Sequence, residues 1–370
     1  MQRSLKAVIL VLLLCDSSWS FALYVKRGPA QEKCPLGLNR TTDGTSCPEN
    51  CGGPANFPGY DPSSPTSFSR NQDYDGICKA FSMSDYICYQ LKSLGKLSNR
   101  PDFKKGCSAL DLDIQAFAGH NRDPHKNTIT NYLGLVDPKK GIYVGNSAKL
   151  NPEEYLDIAM KKGICPEGAM PSEFGADGLD LRKVYLALQQ HLKERKANTQ
   201  AGVALDGWCK ECHEIAPSLA ESQWNAISDL LATTDLDTQD FQVLKKIDDI
   251  ACPDNKRVKL PSTFKKMNHS TFELMNAHLA TQDAIAIMGI HATPLLPPGA
   301  SIDDREGDGH EVVVYGTTTF PDSPTCYYAL KVSWGPGACV QKLPDVRCSI
   351  DGSFLVSASL LKTMQMDIQW

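Results

Sequence analysis

The sequence predicts an α+β fold, a helical half built around one buried helix and an antiparallel sheet in the C-terminal third. Three observations point there. Ile77, Phe81, Ser84, Cys88 and Leu91 recur at helical spacing, with Ala80, Ile87 and Leu94 widening the apolar stripe. Asn151-Pro152-Glu153-Glu154 opens a second helix: Asn151 is a cap, Pro152 the first helical residue, and Glu154 closes a capping box. Finally, Gly309-His310-Glu311-Val312-Val313-Val314-Tyr315-Gly316 and, later, Tyr327-Tyr328-Ala329-Leu330-Lys331-Val332-Ser333-Trp334-Gly335 are β-rich runs that read as a hairpin joined by a turn region at 317–326.

In chain order, residues 1–22 read as an export signal. Arg3 and Lys6 precede an apolar run, and Ser20-Phe21-Ala22 offers a small-x-small cleavage site. Bulky Leu14 before Cys15 argues against lipid attachment. No other run approaches the ~20 apolar residues of a membrane span. The expectation is therefore a secreted or periplasmic, extracytoplasmic protein without a membrane partner. The composition is that of an ordinary globular chain, 370 residues with 22% charged and a net charge of −5, and it lacks the basic stripe that nucleic acid requires. Of 14 cysteines, the signal takes Cys15; setting Cys78 aside leaves an even number for a disulfide framework of open connectivity. Residues 23–55, rich in Pro, Gly, Ser and Asn and holding Cys34, Cys47 and Cys51, read as a disulfide-pinned N-terminal arm.

Asp75 is the expected cap of the central helix and Gly95 its stop. Cys78 then lies in the first turn, where unpaired N–H groups and the helix dipole favour a thiolate over a thiol. On the helix pattern alone, Cys78 is equally a small core hydrophobe. Gln72, five residues, Cys78, then Ala80-Phe81-Ser82 resembles the active-site segment of the papain-like cysteine peptidases. The resemblance, which extends to bacterial secreted members, covers 56–370 and implies a two-lobed fold, with a helical left lobe bearing the cysteine and an antiparallel right lobe. It implies Cys78 as nucleophile, with Gln72 and the Cys78 backbone N–H binding the oxyanion. The chain departs from the pattern at Asp75, which replaces a cysteine, and at Lys79, which replaces an aromatic residue.

Beyond the second helix, Lys161-Lys162-Gly163-Ile164-Cys165-Pro166-Glu167 resembles the helix exit of bacterial family members, and Tyr143-Val144-Gly145-Asn146 their substrate-pairing strand. Residues 178–255 read as a helical insertion with stripes through Leu181, Val184, Leu188, Trp224, Phe241, Leu244 and Ile247. It accounts for most of the excess separation between Cys78 and His310 over the ~130–150 residues usual between such partners. Inside it, Cys209-Lys210-Glu211-Cys212-His213 matches c-type haem attachment, with disulfide use of both cysteines as the competing reading.

His310 opens the first strand of the hairpin, as the family's base does, and Trp334 stands where a tryptophan shields it. Val332 occupies the position of the family's asparagine, which orients the imidazole as the carboxylate does in a serine triad. Asp304, Asp308 or a backbone carbonyl are the candidates to replace it, and activity lowered rather than abolished is the expectation. The resemblance implies a monomeric hydrolase of protein or peptide substrates, with a proteinaceous inhibitor as a further partner and no cofactor or metal. The alternative functions are a catalytically impaired fold of this kind acting as a binding protein, and a haem protein using Cys209, Cys212 and His213.

Overall fold

The computed structural model describes residues 70, 77–120, 150–172, 219, 223, 241–264, 267–280, 284–296, 309–320, 323–335, 338–339, 343, 345–349 and 351–370, with backbone pairing also at 38–40, 46–48, 135–136 and 142–143. All lie in the larger of the chain's two units, Cys34–Trp370. The proposed export signal, Gln72, Asp304, Asp308 and the Cys209-to-His213 motif fall outside the described residues.

Two short antiparallel pairs, β1 (Leu38–Arg40) with β2 (Ser46–Pro48) and β3 (Leu135–Val136) with β4 (Ile142–Tyr143), flank the first helices in sequence. Helix α1 (Cys78–Ser93) is the central one. Its first turn closes by Phe81 N–H donating to Ile77 O at 3.1 Å, so the cap residue is Ile77 and not Asp75. Cys78 is consequently the first residue of the helix. Gly95, at φ +68°, ends it: Gly95 N–H reaches Lys92 O and Lys96 N–H reaches Leu91 O, both at 2.9 Å. This paired closure needs a left-handed residue, and glycine takes that conformation without a Cβ clash. Leu94 is 47% exposed, because the chain leaves the helical path there and the apolar stripe ends at Leu91.

Helix α2 (Ala109–His120) is capped by Ser108, whose Oγ accepts from Asp111 N–H at 2.9 Å. Helix α3 (Pro152–Lys161) has the expected capping box: Asn151 Oδ1 accepts from Glu154 N–H at 3.0 Å, and Glu154 Oε2 accepts from Asn151 N–H at 2.8 Å. Helix α4 (Phe241–Ala251), at the end of the proposed insertion, is packed into the core through Phe241, Val243, Leu244 and Ile247. Burying each of these side chains stabilises by about 1.5–3 kcal/mol. Cystines join Cys88 to Cys107, Cys165 to Cys252 and Cys339 to Cys348. Among the described residues no helix is long and apolar enough to cross a membrane.

The C-terminal part adds α5 (Phe272–Leu279), β5 (Ala286–His291), β6 (Gly309–Phe320), β7 (Ser323–Lys331), β8 (Val346–Cys348), β9 (Phe354–Ser357), α6 (Ala358–Met364) and β10 (Gln365–Gln369). These strands form one antiparallel sheet in the order β10-β5-β6-β7-β9-β8. The fold is therefore α+β. The β6–β7 hairpin is longer than expected: 317–320 and 323–326 are strand, and the pairing of Thr318 with Tyr327 and Phe320 with Ser323 extends the ladder in place of a wide turn.

Strand alternation sorts the core in two. Val313 and Tyr315 of β6, with Ile285, Ile287 and Ala329, pack against α1 to α4. Val312 and Val314, with Met288, Ile290, Leu330 and Val332, pack on the other face with α5 and α6.

Candidate active site

Helix α1 lies along β6 and β7, and two polar contacts fix its level. Ser82 Oγ donates to Glu311 O at 2.8 Å, and Lys331 Nζ pairs with Asp85 Oδ2 at 2.5 Å. Lys331 is the register partner of Val313. Moving from Ser82 to Asp85 thus moves from Glu311 to the level of Val313. Cys78, one turn before Ser82, is about 6 Å back along the helix, which matches a step of about two residues down the strand. The first turn of α1 therefore stands at the beginning of β6, where His310 is the second residue.

Cys78 is half-buried and is the one described cysteine outside a disulfide. It sits where the helix N-terminus favours a thiolate. His310 is 7% exposed, and its ring lies 4.7 Å from that of Trp334, tilted by 38°. Trp334 in turn meets Phe354 edge-on at 5.8 Å. His310 Nε2 is buried and has no hydrogen-bond partner among the described residues. An amide at position 332 is what the resemblance would have offered it, and Val332, itself buried, offers only methyl groups.

Arg70, to which sequence reasoning assigned no role, ties the segment preceding α1 to the rest of the site. Its guanidinium donates to Ser84 Oγ at 2.9 Å, Asp85 Oδ1 at 3.3 Å and Glu167 Oε2 at 2.8 Å, and lies 4.5 Å over the Phe81 ring. Its carbonyl accepts from Gly335 N–H at 2.8 Å, directly after Trp334. The backbone two residues before Gln72 is thus pinned to the strand end carrying the tryptophan. Position alone gave a hint, since Arg70 opens the Gln72 segment.

Glu311 was also missed, although the alternation of β6 held the signal: an acid in line with Val313 and Tyr315 must face a buried layer. It is 6% exposed, and its Oε1 has no hydrogen-bond partner among the described residues. Burial pushes its carboxyl up to about 8, with Lys79 opposing and Asp367 adding to the rise. Burial likewise pulls His310 down to about 3. Burial first, then the charges of Asp113, Glu311 and Cys78, pushes the Tyr155 hydroxyl well above its ordinary range. Cys78 and Glu311 are thus electrostatic neighbours of the same hydroxyl, which donates to Asp113 Oδ1 at 2.8 Å.

These shifts set a pH window. The His310 contribution to stability is complete above its ordinary 6.5 and is lost as pH falls toward about 3, because the unfolded chain takes up the proton first. The Glu311 contribution is complete below its ordinary 4.5 and is lost as pH rises toward about 8. Thermal denaturation is expected to show the two losses as separate limbs outside pH 4.5–6.5. Between these limits the two losses oppose and offset each other, so Glu311→Gln should remove the alkaline limb and extend the acid limb up to about 6.5, and His310→Gln should remove the acid limb and start the alkaline limb near 4.5.

The sequence matches no known family profile and no curated protein. Among solved structures, one from work on antibody cross-reactivity between the mite allergens Blo t 1 and Der p 1 is similar over 82% of this chain, at 12% identity and a TM-score of 0.36. The chain spans 66% of that neighbour, just under two thirds of its length.

Proposed function

We propose that the chain is an exported cysteine peptidase that hydrolyses peptide bonds in protein substrates. The observation that supports this reading is the Ser82 Oγ bond to Glu311 O, which sets α1, opening at Cys78, beside β6, whose second residue His310 lies against Trp334. Cys78 sulfur attacks the scissile carbonyl carbon while His310 takes the thiol proton; the carbonyl oxygen becomes an oxyanion held by the Cys78 N–H and the Gln72 amide. The C–N bond then breaks, and His310 returns the proton to the leaving amine. Water, deprotonated by His310, hydrolyses the thioester and restores the thiol. Because burial disfavours an imidazolium at His310, His310 acts as a general base from its neutral form.

The lack of a hydrogen-bond partner for His310 Nε2 among the described residues favours a second reading, a fold of this kind that binds peptides with little or no turnover. Incubation of the mature protein with an unfolded protein substrate, with new N-termini read by mass spectrometry, separates the two. Cleavage that Cys78→Ser abolishes supports the peptidase; retained peptide binding with no Cys78-dependent cleavage supports the binding role.

A further inference from the structure

Lys79 is the second residue of α1, and no acidic residue stands in that first turn. A cation there opposes the helix dipole, whose positive end is the N-terminus, and Lys79 is half-buried as well. Where a sequence breaks a local rule of this kind, a functional constraint is the usual cause. The ammonium is anchored: Nζ donates at 3.1 Å to the carbonyl of Leu150, a fully buried residue directly before the Asn151 cap of α3. Burial raises the Glu311 carboxyl, and Lys79 is the charge that opposes the rise. Tyr155, five residues beyond Leu150, has its hydroxyl pushed up by burial first and then by the charges of Asp113, Glu311 and Cys78. The start of α3 therefore answers to Lys79 through Leu150 and to Cys78 through Tyr155.

We propose that Lys79 is a positioning residue for the nucleophile: its ammonium, held at Leu150 O, is the fixed positive charge that favours the Cys78 thiolate. This rests on the peptidase reading and extends it to a position where the chain departs from the family pattern. Burial keeps His310 from supplying a lasting positive charge beside the sulfur. The helix N-terminus and Lys79 take that part, since a neighbouring ammonium lowers a thiol pKa. Titratable groups reach the nucleophile from every side. They are His310 and Glu311 of β6, Tyr155 of α3 and, through its hydroxyl, Asp113 of α2. His291 of β5 pairs with Gly309 on the Glu311 face of the sheet, and Asp367 of β10 acts through Glu311. The acids among them oppose a thiolate, and the Lys79 charge offsets them.

The test is the pH profile of Cys78 alkylation by iodoacetamide in the folded, mature protein, with the site of addition located by peptide mapping. Lys79→Gln keeps a donor for Leu150 O and removes the charge, Lys79→Arg keeps the charge, and Lys79→Met is a second uncharged side chain should the glutamine variant not fold. The midpoint of the profile should rise by about 0.5–1 unit in the uncharged variants, which is roughly three- to tenfold slower alkylation below it. Lys79→Arg should remain near the native value. The same rise should appear when His310 is already alanine, because the charge acts without the imidazole. A lower Tm with an unchanged midpoint, the mark of a merely structural lysine, overturns the proposal, as does an equal rise in Lys79→Arg and Lys79→Gln. A Lys79-dependent midpoint in a protein that shows no Cys78-dependent cleavage contradicts the peptidase reading and leaves the role of Lys79 supported.

Discussion

Replacing His310 with alanine is expected to slow substrate turnover and the alkylation of Cys78 by roughly 10²–10⁴-fold, the usual contribution of a positioned general base. His310 is the second residue of β6, and the Trp334 ring lies against it and restricts its access to water. Removing the imidazole leaves Cys78 with the helix N-terminus and Lys79 to favour its thiolate, the first worth about 0.3–1 kcal/mol at exposed sites. The same region yields a change of opposite sign. Val332→Asn would give the buried Nε2 an amide oxygen, and one good hydrogen bond is worth about 0.5–1.5 kcal/mol, so up to about tenfold faster turnover is expected. The substitution also buries an amide among the apolar side chains around Val332, at a cost of about 1–3 kcal/mol in stability if it is left unpaired. Paired kinetics and thermal denaturation check both sides: faster turnover with a lower Tm agrees with the account, whereas unchanged turnover means that Nε2 orientation does not limit the reaction.

The largest stability effect is expected at Arg257. Its side chain is 3% exposed and pairs with two fully buried carboxylates, Asp111 and Asp248, the latter at 3.1 Å. Asp111 Oδ2 also accepts from Cys165 N–H at 2.9 Å, and Arg257 Nε donates to Cys252 O at 3.0 Å. One guanidinium therefore serves both acids and the Cys252 carbonyl, and through Asp111 it is linked to the backbone on the Cys165 side of the bridge. Burial first, then the charge of Asp111, pushes the Asp248 carboxyl well above its ordinary range, with Arg257 opposing. Arg257→Met keeps much of the apolar volume and removes the charge, stranding two buried acids, and should cost about 3–5 kcal/mol. Denaturant unfolding with the disulfides intact measures this. A loss below about 1 kcal/mol would show that the two carboxyls share a proton without the guanidinium.

The parts of the fold legible in the sequence were those with local causes. The Asn151 capping box, the Gly95 stop, the α1 stripe and the opening of β6 at His310 each follow from a few neighbouring residues. The start of α1 was misplaced by two residues, because Asp75 has the chemistry of a cap while the first helical bond is made to Ile77 O. The hairpin was drawn too short, because Thr317 and Thr318 suit a turn in isolation but pair within a six-stranded sheet. What no local pattern carried was long-range. Arg70 gains its role from residues as distant as Glu167 and Gly335, and Glu311 gains its acidic neighbour from a strand more than fifty residues away. Val332 was legible as a departure, and its consequence, an unpartnered Nε2, needed three dimensions.

The central claim is that Cys78 and His310 form an assembled nucleophile–base pair. Labelling of the native, mature protein with a thiol-directed epoxysuccinyl inhibitor at mildly acid pH, read by intact mass and peptide mapping, tests it most directly. The account predicts a single fast addition at Cys78 that is lost on unfolding and slowed at least 100-fold in His310→Ala. No addition at Cys78 in the folded protein, or addition at the same rate with and without His310, would contradict it.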